Sequence, residues 1–104
     1  MRELETLEEF EKFLKEAGSK LVVIDFFADW CGPCKMIKPK FEAMSKEFQD
    51  VEFAKVNVDE NSDTAENQDI SAMPTFKFYK NGSKVDEVTG ANEAEIRSKI
   101  MQYK

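Results

Sequence analysis

The only two cysteines of this 104-residue chain, Cys31 and Cys34, stand three residues apart beside its only tryptophan, Trp30. Residues at i and i+3 of a helix share a face with Cβ atoms about 5–6 Å apart, so a small local adjustment brings such a pair into disulfide range. Used only as a staple, the bond would close a very short loop and contribute roughly 2 kcal/mol. A chain of this length builds its own core and does not need it. A pair that cycles between dithiol and disulfide accounts for the spacing better. Cys31 falls between an apolar strand pattern and a helical one, where the free N–H groups and the dipole of a helix N-terminus favour its thiolate. The expectation is an exposed, nucleophilic Cys31. Cys34, one turn inside the helix and more buried, is placed to attack any mixed disulfide formed at Cys31.

Other chemistries are poorly supplied. A structural zinc site takes four Cys or His ligands, and one CxxC without histidine provides two, so only an intermolecular site would complete the set. The absence of histidine also removes Ser/His and Cys/His nucleophilic pairs and the imidazole base. With 21 acidic against 15 basic residues the net charge is -6, and no basic run offers a track for phosphates, so nucleic acid is not an expected partner. The N-terminus "MRELETLEEFEKF" lacks a basic leader followed by an apolar stretch, and no run approaches a membrane span. The chain reads as soluble and cytoplasmic, a compartment in which a static disulfide is unusual.

The elements that must hold the pair follow from periodicity. Leu7, Phe10, Phe13 and Leu14 form one helical stripe after a capping box of Thr6 with Glu9, and Gly18 supplies a stop. "LVVIDFFA", Leu21 to Ala28, is almost continuously apolar and predicts a central strand covered on both faces. A helix from Gly32 carries Pro33 in its first turn and Met36, Ile37, Met44 and Phe48 as candidate core. "VEFAKVNVD" is a further strand, "SDTAENQD" a short polar helix or loop, and "TFKFYKNGSKVDEVTG" a hairpin turning at Asn81-Gly82. A last helix starts at Asn92, which with Glu95 repeats the capping box. "RELE" offers an additional N-terminal strand. Alternation followed by a hairpin implies a single α/β domain, residues 1–104, with a mixed central sheet sandwiched between helices.

Second-tier residues each admit a plain reading. Asp25 interrupts the apolar strand, and is either turned to solvent or buried with its pKa raised by desolvation. Lys55 in "FAKVNV" reads most simply as an outward surface lysine, within reach of Asp25 only if their two strands are neighbours. Base rates place the bond before Pro74 in the trans form. Trp30 reads more readily as core than as surface. Gly90 before a helix cap reads as a turn.

"WCGPCK", with "DFFADW" before it and "MPTF" and "NG" after it, resembles the thioredoxin family over essentially the whole chain. That resemblance implies a thioredoxin fold and a general protein disulfide reductase. In it Cys31 attacks client disulfides, Cys34 resolves the mixed disulfide and Asp25 accepts the proton of Cys34. It implies that Gly32, Pro33 and Lys55 tune the pair. It further implies that the Met73–Pro74 bond is cis, with Met73 offering backbone to an extended client, and that Trp30, Gly90 and Ala91 form the rest of a client-binding rim. No cofactor would be bound; NADPH would act through thioredoxin reductase. Clients would be disulfide-containing proteins such as peroxiredoxins or ribonucleotide reductase, met by a monomer. Alternatives within reach of the same motif are a redox-sensitive binding module and a disulfide isomerase or oxidase, although proline between the cysteines speaks against the latter. Unlike vertebrate cytosolic members, the chain has no cysteine outside the motif.

Overall fold

Apolar on both faces, strand β2 (Val22–Phe27) has to be covered from both sides and takes the middle of the sheet. The computed structural model, which describes residues 1–104, sets it between β3 (Glu52–Asn57), parallel, and β4 (Thr75–Lys80), antiparallel. Beyond β3 lies the short β1 (Arg2–Glu3), parallel to it, and beyond β4 lies β5 (Ser83–Thr89), antiparallel, giving the order β1-β3-β2-β4-β5. Helices α1 (Leu7–Ala17), α2 (Gly32–Glu47), α3 (Ser62–Asn67) and α4 (Glu93–Tyr103) complete the expected mixed sheet between helices.

Period-two alternation divides the core. Val23, Phe53, Phe76 and Phe78 pack with Ile37, Phe41 and Met44 of α2 and with Ile96 and Ile100 of α4. On the other face Val22, Ile24, Phe26, Ala54 and Val56 meet Leu4, Phe10 and Leu14. Asp25 alternates with Val22, Ile24 and Phe26 and therefore shares the α2 face of Val23.

Local signals behave as their chemistry requires. The Glu9 N–H donates to Thr6 Oγ1 (3.0 Å) and the Glu95 N–H to Asn92 Oδ1 (3.0 Å), satisfying donors that the first turns of α1 and α4 would otherwise leave free. Asn81 and Gly82 both adopt positive φ, 53° and 78°, the pairing that lets a two-residue turn follow the twist of its strands.

Two expectations need correction. The strand is shorter than Leu21–Ala28, although both flanking residues are buried. Met36 is not core but 60% exposed. The buried stripe of α2 runs through Ile37, Phe41, Met44 and the capping Phe48, spacings of four, three and four. Met36 stands about 100° away from that stripe.

Candidate active site

The turn after β2 delivers Cys31 to the N-cap of α2, and Cys34 lies one turn on, bonded to it, with the two Cα atoms 5.2 Å apart. The Cys34 N–H donates to Cys31 Sγ (3.2 Å), and the Lys35 N–H to the Cys31 carbonyl (3.2 Å). A capping sulfur held by a helix N–H is the environment that favours thiolate over thiol. Cys31 was expected to be the more exposed of the two, but in this oxidised form both are 5% exposed. The pair packs with Ala28, and Phe27, Val58 and Met73 lie against it, so each sulfur is covered by its partner and by this small apolar cluster. What distinguishes the two sulfurs is what each one faces.

Cys34 faces Asp25. Both line a cavity of about 170 Å³ shared with Lys55, Phe41, Lys38 and Met1, ample for water between thiol and carboxyl. Asp25 is 6% exposed, which overturns the reading of a strand-end acid turned to solvent, and its Oδ1 has no hydrogen-bond partner. Burial pushes its pKa up to about 7, against a smaller opposing pull from the Lys55 ammonium. A carboxyl group poised near neutrality can take a proton at one moment and return it at another. Lys55 pairs with Asp25 in the β2–β3 register, so the two side chains share a face. The Lys55 ammonium lies 5.5 Å from the Phe27 ring centroid.

Around the disulfide the rim is mixed in origin. Trp30, which burial statistics favour as core, is 68% exposed, and its Nε1–H donates to Asp59 Oδ2 (2.9 Å). Asp59 is itself placed by the buried Asn57, whose Oδ1 accepts from the Asp59 N–H (3.0 Å) and the Glu60 N–H (3.2 Å). The Met73–Pro74 bond is cis, against the base rate and in line with the resemblance. The Pro74 carbonyl accepts from the Gly90 N–H (2.8 Å), which ties the segment before β4 to the end of β5. At Gly90 φ is 99°, so glycine answers a backbone demand; an added Cβ would meet nothing within 4 Å. Ala91 packs partly against the main core. Pro33 occupies the first turn of α2, while Gly32 has no positive φ and open space around it, so sterics do not require glycine there.

Thus Cys34, Asp25 and Lys55 line one cavity, Cys31 is bonded to Cys34, Met73 packs against the pair, and the adjoining Pro74 is tied to Gly90. Asp59, Asn57 and Lys38 escaped the sequence reading. The strand expected over "VEFAKVNVD" ends at Asn57, and only the fold brings Asp59, in the turn that follows, to an indole 29 residues earlier.

A bonded cysteine pair on a helix N-terminus, at the end of the central strand of a mixed sheet, defines a thiol–disulfide oxidoreductase. The thioredoxin family profile matches residues 2–102, and a thioredoxin of Geodia cydonium is 60% identical over 102 residues, spanning 97% of this chain and 96% of that protein. The chain belongs to the thioredoxin family and is a protein-disulfide oxidoreductase acting by dithiol–disulfide exchange. Its fold superimposes on the X-ray structure of Fasciola hepatica thioredoxin with a TM-score of 0.99 at 50% identity, covering 100% of both chains. A yeast chain from a structural study of thiol resolution in mitochondrial 1-Cys peroxiredoxin matches with a TM-score of 0.92 at 36% identity, over 98% of this chain and 94% of that one.

Proposed function

We propose that reduced Cys31 attacks one sulfur of a client disulfide, expelling the other client sulfur as a thiolate and forming a mixed disulfide. Cys34 then passes its proton to Asp25, attacks Cys31 Sγ and releases the second client thiolate. Two electrons have moved from the cysteine pair to the client, and Cys31 and Cys34 are left bonded. The observation that carries this reading is the division of the two sulfurs: Cys31 caps α2, while Cys34 lines the cavity of Asp25.

In this reading Trp30, Met73, Pro74, Gly90 and Ala91 receive an extended client segment, and Gly32, Pro33 and Lys55 adjust the stability of the pair. The chain binds no cofactor. Thioredoxin reductase returns the electrons from NADPH, and clients include peroxiredoxins and ribonucleotide reductase. The yeast peroxiredoxin study among the structural relatives supports the first of these client classes. No helix is long and apolar enough to cross a membrane. The protein works as a cytoplasmic monomer, its one domain carrying the whole cycle.

The test couples NADPH oxidation, through thioredoxin reductase, to reduction of a protein disulfide. Many turnovers per chain are expected. Stoichiometric complex formation without turnover would instead identify a redox-sensitive binding module, and faster net oxidation than reduction of clients would identify an oxidase.

The rim makes a smaller prediction. Asp59→Ala removes the acceptor of the Trp30 indole, a hydrogen bond worth about 1 kcal/mol, so kcat/KM on a protein client should fall about fivefold. Reaction with a small disulfide that does not reach the indole should be unchanged. Fluorescence anisotropy of the single tryptophan should drop in the same variant. An unchanged anisotropy would mean that Asp59 does not hold the ring.

A further inference from the structure

Thr75, Lys77 and Tyr79 alternate along β4 and share the face of their β2 partners Phe26, Ile24 and Val22. All three are buried, and each directs its polar atom at the segment between α3 and β4. The Lys77 ammonium donates to the Gln68 carbonyl, and the Tyr79 hydroxyl to Gln68 Oε1 (2.5 Å). The Thr75 hydroxyl donates to the Ala72 carbonyl (2.7 Å). Gln68 caps the C-terminus of α3, and Met73, which follows Ala72, packs against the thiol pair. The segment is thus held at its start and again just before Met73. We propose that Lys77 is a positioning residue for client reduction: by holding Gln68 it fixes the path of the chain from α3 to Met73, and with it the backbone that Met73 offers to a client. This inference rests on the reading that Met73 pairs with client backbone.

An apolar residue would suit the place of Lys77 better on packing grounds, since Val22, Ile24, Phe26, Val56 and Tyr79 form its face and a buried ammonium is unfavourable without partners. It has two. Glu87 Oε1 lies 3.7 Å away but is partly exposed and closer to Lys84, at 2.9 Å, so that pair contributes little. The Gln68 carbonyl stands at a helix C-terminus, where the dipole and the free carbonyls favour a cation. Beyond Gln68 the chain has few other holds. Asp69 takes a φ of 56°, Ser71 and Ala72 are exposed, and the N–H groups of Asp69 and Ile70 bond back to Glu66 and Ala65. No backbone hydrogen bond ties residues 69–72 to the sheet, so the side chains of β4 do it.

The experiment mixes the reduced full chain, as wild type, Lys77→Met, Tyr79→Phe and Glu87→Gln, with three probes: an extended peptide disulfide, the same peptide N-methylated beside its cysteine, and a small aromatic disulfide. The second-order rate constant of exchange is read for each. Methionine keeps the length of the lysine stem, and apolar replacement of a buried charge is often neutral or stabilising. On the peptide the rate constant should fall about fivefold in Lys77→Met and about twofold in Tyr79→Phe. It should be unchanged in Glu87→Gln, which removes the cross-strand pair and leaves the hold on Gln68. All four proteins should react alike with the small disulfide. N-methylation should slow the wild type about fivefold and Lys77→Met less than about twofold, because a poorly held Met73 has less pairing to lose.

Equal peptide rates in wild type and Lys77→Met, an equal loss on peptide and small disulfide, or an equal N-methylation effect in the two proteins would overturn the proposal. So would a loss in Glu87→Gln that matched Lys77→Met. The underlying reading fails separately: if N-methylation did not slow the wild type, clients would not pair with the Met73 backbone, whatever Lys77→Met did to the rate.

Discussion

Asparagine in place of Asp25 is expected to stabilise the protein at pH 8 by about 2–4 kcal/mol while slowing its turnover. The stability half follows from linkage. The Asp25 carboxyl is raised from 3.8 to about 7 by burial. Below pH 3.8 the group is protonated in both the folded and unfolded chain and costs nothing. Between 3.8 and about 7 the unfolded chain gives up the proton while the folded one keeps it, so stability falls as pH rises. Above about 7 the cost is complete, of the order of 4 kcal/mol. Asparagine keeps the shape and cannot ionise, but its amide also lacks partners in that site, which brings the gain below the full figure. Denaturant unfolding at pH 3.5, 6 and 8 checks this. A gain of equal size at pH 3.5 would mean that buried charge is not its cause.

The activity half has its own pH signature. Without the acceptor, Cys34 must ionise directly into water, and at pH 7 resolution of the mixed disulfide should slow at least tenfold. At alkaline pH high enough for the thiol to ionise unaided, the two proteins should converge. A pH-independent loss would instead point to altered packing around Cys34. The same buried acid therefore costs stability and supplies chemistry, and one substitution separates the two effects.

How much of this was legible beforehand depends on how far apart the cooperating residues lie in the chain. The thiol pair is local: its spacing, and the strand-to-helix change around it, place both sulfurs in one turn. The caps at Thr6 and Asn92 and the Asn81-Gly82 turn are equally local, and each is found. The sequence leaves the burial of Asp25 open because a lone acid in an apolar strand satisfies two opposite readings. Cover from Phe41 on α2 and Lys55 on β3 decides it, and both come from elsewhere in the sequence. Met36 and Trp30 depart from the sequence expectation for a related reason. Apolar character predicts burial on average, whereas exposure at these positions is set by the helical stripe for Met36 and by a hydrogen bond to Asp59 for Trp30.

The equal exposure of the two cysteines removes the simplest argument for which sulfur attacks. With both 5% exposed, direction has to rest on the helix cap at Cys31 and the Asp25 cavity at Cys34. Serine substitution turns that into opposite outcomes. Cys34→Ser leaves the capping thiolate able to attack but nothing able to resolve, so one client per chain should accumulate as a mixed disulfide, stable in denaturant and released by a small dithiol. Cys31→Ser removes the nucleophile, and trapping should disappear. Steady-state turnover should fall at least about a hundredfold in both, since neither variant can complete the exchange. Trapping by Cys31→Ser and not by Cys34→Ser would reverse the roles. The helix N-terminus would then be too weak an influence to select the nucleophile, and access to Asp25 would be selecting it instead.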